Sequence, residues 1–354
     1  MSHIELVLWA GLAIGLVFGA CGQVTGFCLQ RGLVQHWSDT GGHKLQAFAL
    51  ALAVALLGTQ ALAYLGMVDL GQSLYLMPRY SWLLLPLGGM MFGYGMGLAN
   101  GCGARALVLL GSGNLRSLVV LLCLGISAYM TLTGVLGPVR MALAESTTLS
   151  PALLTVPAGW PRTLVVLIAA TALLAFALRR STVHEVADAG HAAAQTGRFT
   201  DLAGGLIIGL LVVAGWFVTG WLGNDDFEPL PVISLTFVAP VGDVIQYAML
   251  ATGMSLRFGI AVVAGVVVGS LLLALLRREY RLQGFDAPHQ MLRYILGGSL
   301  MGAGGALALG CSIGQGLTGL STLSFSSMIS ALAIFAGARM AWSHWHRNTL
   351  HGSA

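Results

Sequence analysis

The chain has 354 residues, of which 56% are hydrophobic and only 8% charged, with a mean hydropathy of +0.83. Soluble domains carry about 25% charged residues, so a soluble fold is excluded at the outset. The net charge of +4, from 17 Lys+Arg against 13 Asp+Glu, is too small and too dispersed for nucleic-acid binding; such charges set membrane orientation instead.

Crossing a hydrocarbon core takes about 20 apolar residues as helix. The first such stretch, 4–20, ends in Phe18-Gly19-Ala20-Cys21, a faint likeness to a lipoprotein cleavage site. The flank Met1-Ser2-His3-Ile4-Glu5 has no Lys or Arg, so the segment is expected to stay as a membrane helix. Further spans are expected near 45–66, 82–100, 115–137, 161–178, 201–222, 258–276, 292–310 and 324–343. Four apolar, glycine-rich stretches are left over, at 21–32, 101–113, 232–254 and 311–323. Three are too short to cross. The fourth is interrupted by Pro240-Val241-Gly242-Asp243, which suits a lipid-facing helix poorly. All four are expected to be re-entrant half-helices lining a cavity.

Basic residues orient the spans. Arg179, Arg180 and Arg198, and the loop with Arg277, Arg278, Arg281 and Arg293, are expected in the cytoplasm, with Arg31, Lys44 and Arg347. The base-free loop Asn224-Asp225-Asp226-Phe227-Glu228 is expected outside, as is the N-terminus. Arg79, Arg140, Arg162 and Arg257 are then left external. Trp9, Trp82, Trp160, Trp221 and Trp345 fall near span ends, as an interfacial belt requires.

Glycine numbers 49, roughly twice average usage, and part of it forms a repeat. Residues 88–102, GGMMFGYGMGLANGC, align without gaps on 297–311, GGSLMGAGGALALGC, with five glycines and the terminal Cys among the identities. The span at 161–178 turns the second copy upside down. Inverted repeats with broken helices in matching places are a transporter architecture, with the substrate site near the midplane. The expected fold is therefore an all-α polytopic membrane protein of about nine transmembrane helices plus four re-entrant half-helices, in two inverted pseudo-symmetric repeats. Residues 1–160 form the first repeat, 161–200 a linking helix and cytoplasmic linker, and 201–354 the second.

Each copy ends in Gly-Cys and a turn of small residues: Gly101-Cys102-Gly103-Ala104-Arg105, and Gly310-Cys311-Ser312-Ile313-Gly314-Gln315. A re-entrant segment exposes N–H groups at a half-helix N-terminus, and glycines allow close approach, so a small anion beside a thiol is the natural guest. The plain alternative is that Gly-Cys packs helices, since Cys behaves as a small hydrophobe; the matched positions favour the site. Cys28 precedes a polar, glycine-bounded exit bearing Arg31, and Cys21 lies two helical turns before it. Cys123 sits in an ordinary span and is expected to be packing. Asp243 is the one acid within an apolar tract and is either functional or a helix cap. Arg105 and Arg116 flank the first Gly-Cys turn, to draw an anion inward or to anchor the cytoplasmic side. With five cysteines, no CxxC, no HExxH, and histidines in termini and loops, no cofactor or metal is expected.

These residues resemble the YeeE/YedE family of bacterial inner-membrane sulfur-compound transporters, whose best-defined members take up thiosulfate. The resemblance covers almost the whole chain, with its specific motifs in 18–32, 88–105 and 297–340, including Gly302 to Cys311, Thr318-Gly319 and Gly337-Ala338-Arg339. The resemblance implies an hourglass of nine helices and four half-helices. It also implies a central path on which Cys28, Cys102 and Cys311 pass a sulfur anion by weak S–H···S contacts, beside Gly101, Gly310, Gly103, Ser312 and Gln315. Cys21 is additional to that pattern, and Gly-Cys-Gly-Ala-Arg departs from it. The implied protein is a permease importing thiosulfate, embedded among membrane lipids, with a cytoplasmic sulfurtransferase-type acceptor as partner and no nucleic acid. One alternative is a transporter of another reduced sulfur or selenium species. Another, from a different class, is a membrane thiol enzyme or sulfur/selenium carrier that forms persulfides, which needs an activated thiolate, and no His or Lys lies near Cys102 or Cys311 in sequence.

Overall fold

The structure is a computed structural model and describes residues 3–38, 43–76, 80–149, 160–179, 191–224, 230–285 and 287–351. Arg79, Arg180, His184, Asp225, Asp226 and Glu228 lie outside these residues, as do the side chains of Arg347, Trp160 and Trp345.

The described chain is helical almost throughout. Its helices are α1 (His3–Thr25), α2 (Leu29–Trp37), α3 (Lys44–Tyr64), α4 (Leu84–Ala99), α5 (Gly103–Gly111), α6 (Leu115–Leu132) and α7 (Gly137–Ser146). They continue with α8 (Trp160–Leu178), α9 (His191–Phe217), α10 (Val238–Leu250), α11 (Phe258–Leu276), α12 (Pro288–Leu307) and α13 (Phe325–His351). A helix occupies each expected span, and six stretches are long and apolar enough to cross a membrane. Large apolar side chains such as Trp9, Ile168 and Leu272 are exposed, which water would penalise and lipid does not. The protein is an all-α polytopic membrane protein.

Short helices lie within three of the four leftover stretches, α5, α10 and a π-helical turn, Gly314–Gly319, whereas in 21–32 the span helix α1 runs on to Thr25 and the short helix α2 begins only at Leu29 and extends to Trp37. The third stretch, 232–254, also differs from expectation. Pro240 and Gly242 do not break α10 but lie inside it, because Pro240 is in the first turn, where a backbone N–H has no intrahelical acceptor to lose. The break falls earlier, in the non-helical run 230–237. Helix α7 and a two-residue antiparallel ribbon, Tyr80–Ser81 with Thr148–Leu149, had no apolar span to announce them.

Glycine explains the packing. A Cβ on Gly88 would stand 2.6 Å from the Gly304 carbonyl, and one on Gly95 2.7 Å from the Gly297 carbonyl. Gly88 aligns with Gly297, and Gly95 with Gly304, so α4 and α12 cross on two equivalent backbone contacts. Gly89 lies against Ser330 and Ala333 of α13, while its counterpart Gly298 lies against Val120 and Cys123 of α6. In the other helices, Gly15 and Gly19 of α1 face the carbonyls of Val262 and Val266 in α11. Gly205 and Gly209 of α9 likewise face those of Ala47 and Ala51 in α3. Without side chains between them the backbones meet directly, which is how membrane helices gain dispersion energy.

Arg339 holds a short helix to this frame. Its guanidinium lies 5.1 Å from the Trp37 ring at the end of α2 and 4.5 Å from Trp342 on α13. Such contacts are worth about 0.5–2 kcal/mol. Arg339→Leu is therefore expected to lower the thermal midpoint of the detergent-purified protein by a few degrees, with Lys restoring part of the loss. Unchanged melting of the Leu variant would show that the contact contributes nothing.

Candidate functional site

The Gly-Cys breaks form because each preceding helix ends on a left-handed residue. Asn100 closes α4 with φ 57°, and Leu309 follows α12 with the same φ. The next amide then turns back: Gly101 N–H donates to Met96 O at 3.0 Å, and Gly310 N–H to Gly305 O at 2.8 Å. This reversal delivers Cys102 and Cys311 to the interior, 2% and 1% exposed. A Cβ on Gly101 would stand 2.9 Å from the Arg105 side chain, and one on Gly310 3.2 Å from that of Gln315, so in both turns the glycine lets a polar side chain pack close to the break. Gly103, the first residue of α5, packs against Leu124.

Cys28 is the residue before α2, and Cys102 the residue before α5, both in extended conformation. Their sulfurs lie 4.0 Å apart although 74 residues separate them. Two half-helix N-termini thus converge on one pair of buried thiols, and no side chain among the described residues caps either helix. The Arg31 N–H faces the Cys28 sulfur and the Arg105 N–H faces that of Cys102. At the third thiol the same arrangement is a formed bond: Gly314 N–H donates to Cys311 Sγ at 3.2 Å. Such first-turn N–H groups are the donors an anion uses.

Ser312 joins the two copies. It is fully buried, its hydroxyl lies near the Cys102 thiol outside hydrogen-bond geometry, and it has no partner among the described residues. Gln315 donates to Ala308 O at 2.6 Å and leaves its Oε1 buried and unpartnered. Buried polar atoms without partners are uncommon and call for an explanation such as a ligand.

Cationic side chains gather beneath the Cys28–Cys102 pair. A methyl placed on Gly26, whose φ is +58°, would stand 2.7 Å from Arg31 Nη1, 3.5 Å from Arg105 Nη1 and 3.8 Å from Lys44 Nζ. Lys44 is engaged, with Asp201 at 3.3 Å and the Thr25 carbonyl at 2.6 Å. Arg105 donates to Gly26 O at 3.4 Å and borders two cavities. One, of about 250 Å³, reaches Cys102, Asn114 and Arg116; the other, of about 140 Å³, reaches Gly26, Phe27 and Arg31. Two guanidinium groups this close repel each other, and a dianion between them would turn repulsion into attraction.

Other expected residues are placed elsewhere. Cys21 faces α9, where its thiol donates to Gly204 O at 3.7 Å. Asp243 is not a cap, since Phe237 precedes α10; its carboxylate accepts from Tyr129 of α6. Cys123 packs against Gly298. Arg31 was legible only as the charge beside Cys28. Tyr75, whose hydroxyl meets Gly314 and Thr236 near Cys311, comes from a single 3-10 turn, Leu74–Leu76, with no motif. No group of three or more His, Cys, Asp or Glu among the described residues is placed to hold a metal.

Comparison with known proteins supplies an independent line. The chain is 26% identical to the thiosulfate transporter TsuA of Escherichia coli (strain K12), over 94% of this chain and 92% of that protein. It is 25% identical to the thiosulfate transporter TsuA of Spirochaeta thermophila, over 96% of this chain and all of that protein. The family model described as Sulphur transport matches residues 24–340, which takes in all three buried Gly-Cys and Phe-Cys breaks. On that match, and on an architecture built around those breaks, the chain belongs to the Sulphur transport (YeeE/YedE) family.

Proposed function

We propose that the protein is an inner-membrane permease that carries thiosulfate into the cell along a central line of thiols, Cys311, Cys102 and Cys28, without covalent turnover. The observation that carries this reading is the meeting of two half-helix N-termini at the Cys28–Cys102 pair, 4.0 Å apart. Thiosulfate bears two negative charges, so leaving water is costly unless many dipoles replace its hydration. Half-helix N–H groups, the Ser312 hydroxyl and the guanidinium groups of Arg31 and Arg105 supply them. Thiols are weak donors, which suits a conduit from which the ion must also leave. The sulfur-transporting relatives support the substrate class.

Inverted repeats over 1–160 and 201–354, linked through 161–200, account for the reciprocal contacts of α4 with α13 and α12 with α6. In this reading the N-terminus is outside and the C-terminus cytoplasmic, and the Arg31–Arg105 vestibule is the inner mouth. A sulfurtransferase-type acceptor would collect the anion there.

The test is growth on thiosulfate as sole sulfur source in cells lacking other uptake routes, together with uptake of labelled thiosulfate. Growth and uptake that depend on this protein are expected. If a well-expressed protein supports neither, thiosulfate is not its cargo. Mass spectrometry after exposure to thiosulfate is expected to find unmodified thiols; a stable persulfide on Cys102 or Cys311 would establish the carrier reading instead.

A further inference from the structure

The correspondence between the two halves breaks at one position of the central line. Cys102 and Cys311 are 209 residues apart, and the same step from Cys28 leads to Phe237. The match is structural as well as numerical. Cys28 is the last residue before α2, and Phe237 the last before α10. The helices around them exchange roles in the same way, α1 on α11 mirroring α9 on α3 through the glycine contacts above. Where the first half sets a thiol beside Cys102, the second half carries a phenylalanine at the corresponding position of its own short helix.

The neighbourhood of Phe237 fits that placement. The Leu235 carbonyl accepts from Thr318 Oγ1 at 2.7 Å, a Cβ on Gly314 would stand 2.7 Å from Thr236 Oγ1, and one on Gly305 2.6 Å from Val238. Leu235 and Thr236, on one side of Phe237 in the chain, thus line the turn that carries Cys311, and Val238, on the other side, packs against α12 just before it. Phe237 itself is fully buried, with its ring centroid 5.2 Å from that of Phe18 on α1. A phenyl ring offers an anion no hydrogen-bond donor and excludes the water that would accompany it; apolar constrictions of this kind close a pore by dewetting.

We propose that Phe237 is the outer gate of the path: a ring at the position the repeat would give a fourth thiol, which must move for an anion to reach Cys311. This rests on the permease reading above and adds what closes the path. The asymmetry has a use. A complete row of four thiols would be an open ladder for small anions, whereas a ring at one end makes passage depend on a guest able to displace it.

The experiment has two arms. In the first, Phe237→Cys is made with Cys21, Cys28, Cys102 and Cys123 replaced by Ser, and the membranes are treated with copper phenanthroline and oxygen. The thiols of the introduced residue and Cys311 each give up a hydrogen to the oxidant and join as a disulfide, read as the loss of two hydrogens in the intact mass. Formation of that bond is expected; its absence in folded protein would place Phe237 away from the path. In the second arm, proteoliposomes with Phe237→Ala are compared with wild type for thiosulfate, sulfate and chloride. The variant is expected to admit sulfate or chloride at least about threefold faster than wild type, as a lost constriction should. Should the Ala protein not fold, Phe237→Leu serves, with a smaller leak expected. A folded variant as selective as wild type overturns the gate. Wild-type liposomes that take up no thiosulfate would overturn the permease reading alone, because the cross-link still reports where Phe237 lies.

Discussion

Thiosulfate uptake by a Cys102→Ala protein that accumulates normally is expected to fall to a tenth of the wild-type rate or below. Cys102 is the thiol at which the halves of the site meet: its sulfur is 4.0 Å from that of Cys28, and the hydroxyl of Ser312, next to Cys311, lies near it. Removing the sulfur widens the step between neighbouring contacts at the middle of the path. It also deletes a buried thiol donor. A lost contact of that kind costs about 1–3 kcal/mol, and each 1.4 kcal/mol added to the crossing barrier slows it about tenfold. Cys102→Ser keeps a donor with a shorter reach and should retain more rate than Ala. Cys21→Ala should leave uptake within about twofold of wild type, because its buried thiol faces Gly204 on α9 and not the other thiols. Initial rates of labelled uptake, normalised to protein in the membrane, decide the matter. Wild-type rates from both Cys102→Ala and Cys311→Ala would remove the thiols from the path.

The other large effect concerns folding. Gly304→Val is expected to cut the yield of monodisperse, folded protein more than tenfold. The first atom of any side chain at Gly304 would stand 2.5 Å from the Phe92 N–H nitrogen and 2.6 Å from the Gly88 carbonyl. Both obstacles are backbone, so no rotamer change relieves them, and α4 and α12 would have to separate. Overpacking a core costs about 1–3 kcal/mol, and more where the neighbour cannot yield. Gly88→Val, at the same crossing, should fail in the same way, whereas Gly253→Ala, which meets nothing within 4 Å, should not. Fluorescence-detected size exclusion distinguishes these outcomes, and a normal Gly304→Val peak would show that the crossing is looser than the structure has it.

Both effects trace to features of different legibility. The α4–α12 crossing was readable as a repeat of glycines, because small residues at helical spacing leave a mark in one dimension. So were the Gly-Cys breaks, since a helix that ends within an apolar tract interrupts the hydropathy pattern. Pro240 misled for a local reason: a proline signals a break only in a helix interior, and α10 starts at Val238, two residues before it. Arg31, Lys44 and Tyr75 were harder to see. Each is an ordinary residue in its own segment and acquires meaning only from what stands opposite.

The amino-acid sequence by itself therefore determined the membrane class, the positions of the spans, the broken helices and the family. The first three depend on composition and periodicity along the chain, which hydration and backbone hydrogen bonding translate directly into helices, whereas the family was legible only as a resemblance carried by the Gly-Cys motifs. Only the tertiary structure decided which thiols meet. The docking of α1 on α11 and of α4 on α12 brings α2 and α5 together end to end, so that Cys28 finds Cys102 while Cys21, seven residues away, turns to α9. The same docking sets Asp243 against Tyr129 and gathers Arg31, Arg105 and Lys44 around Gly26. The physical reason is that a half-helix cannot satisfy its open N-terminus within its own segment. What it faces is chosen by the helices that carry it.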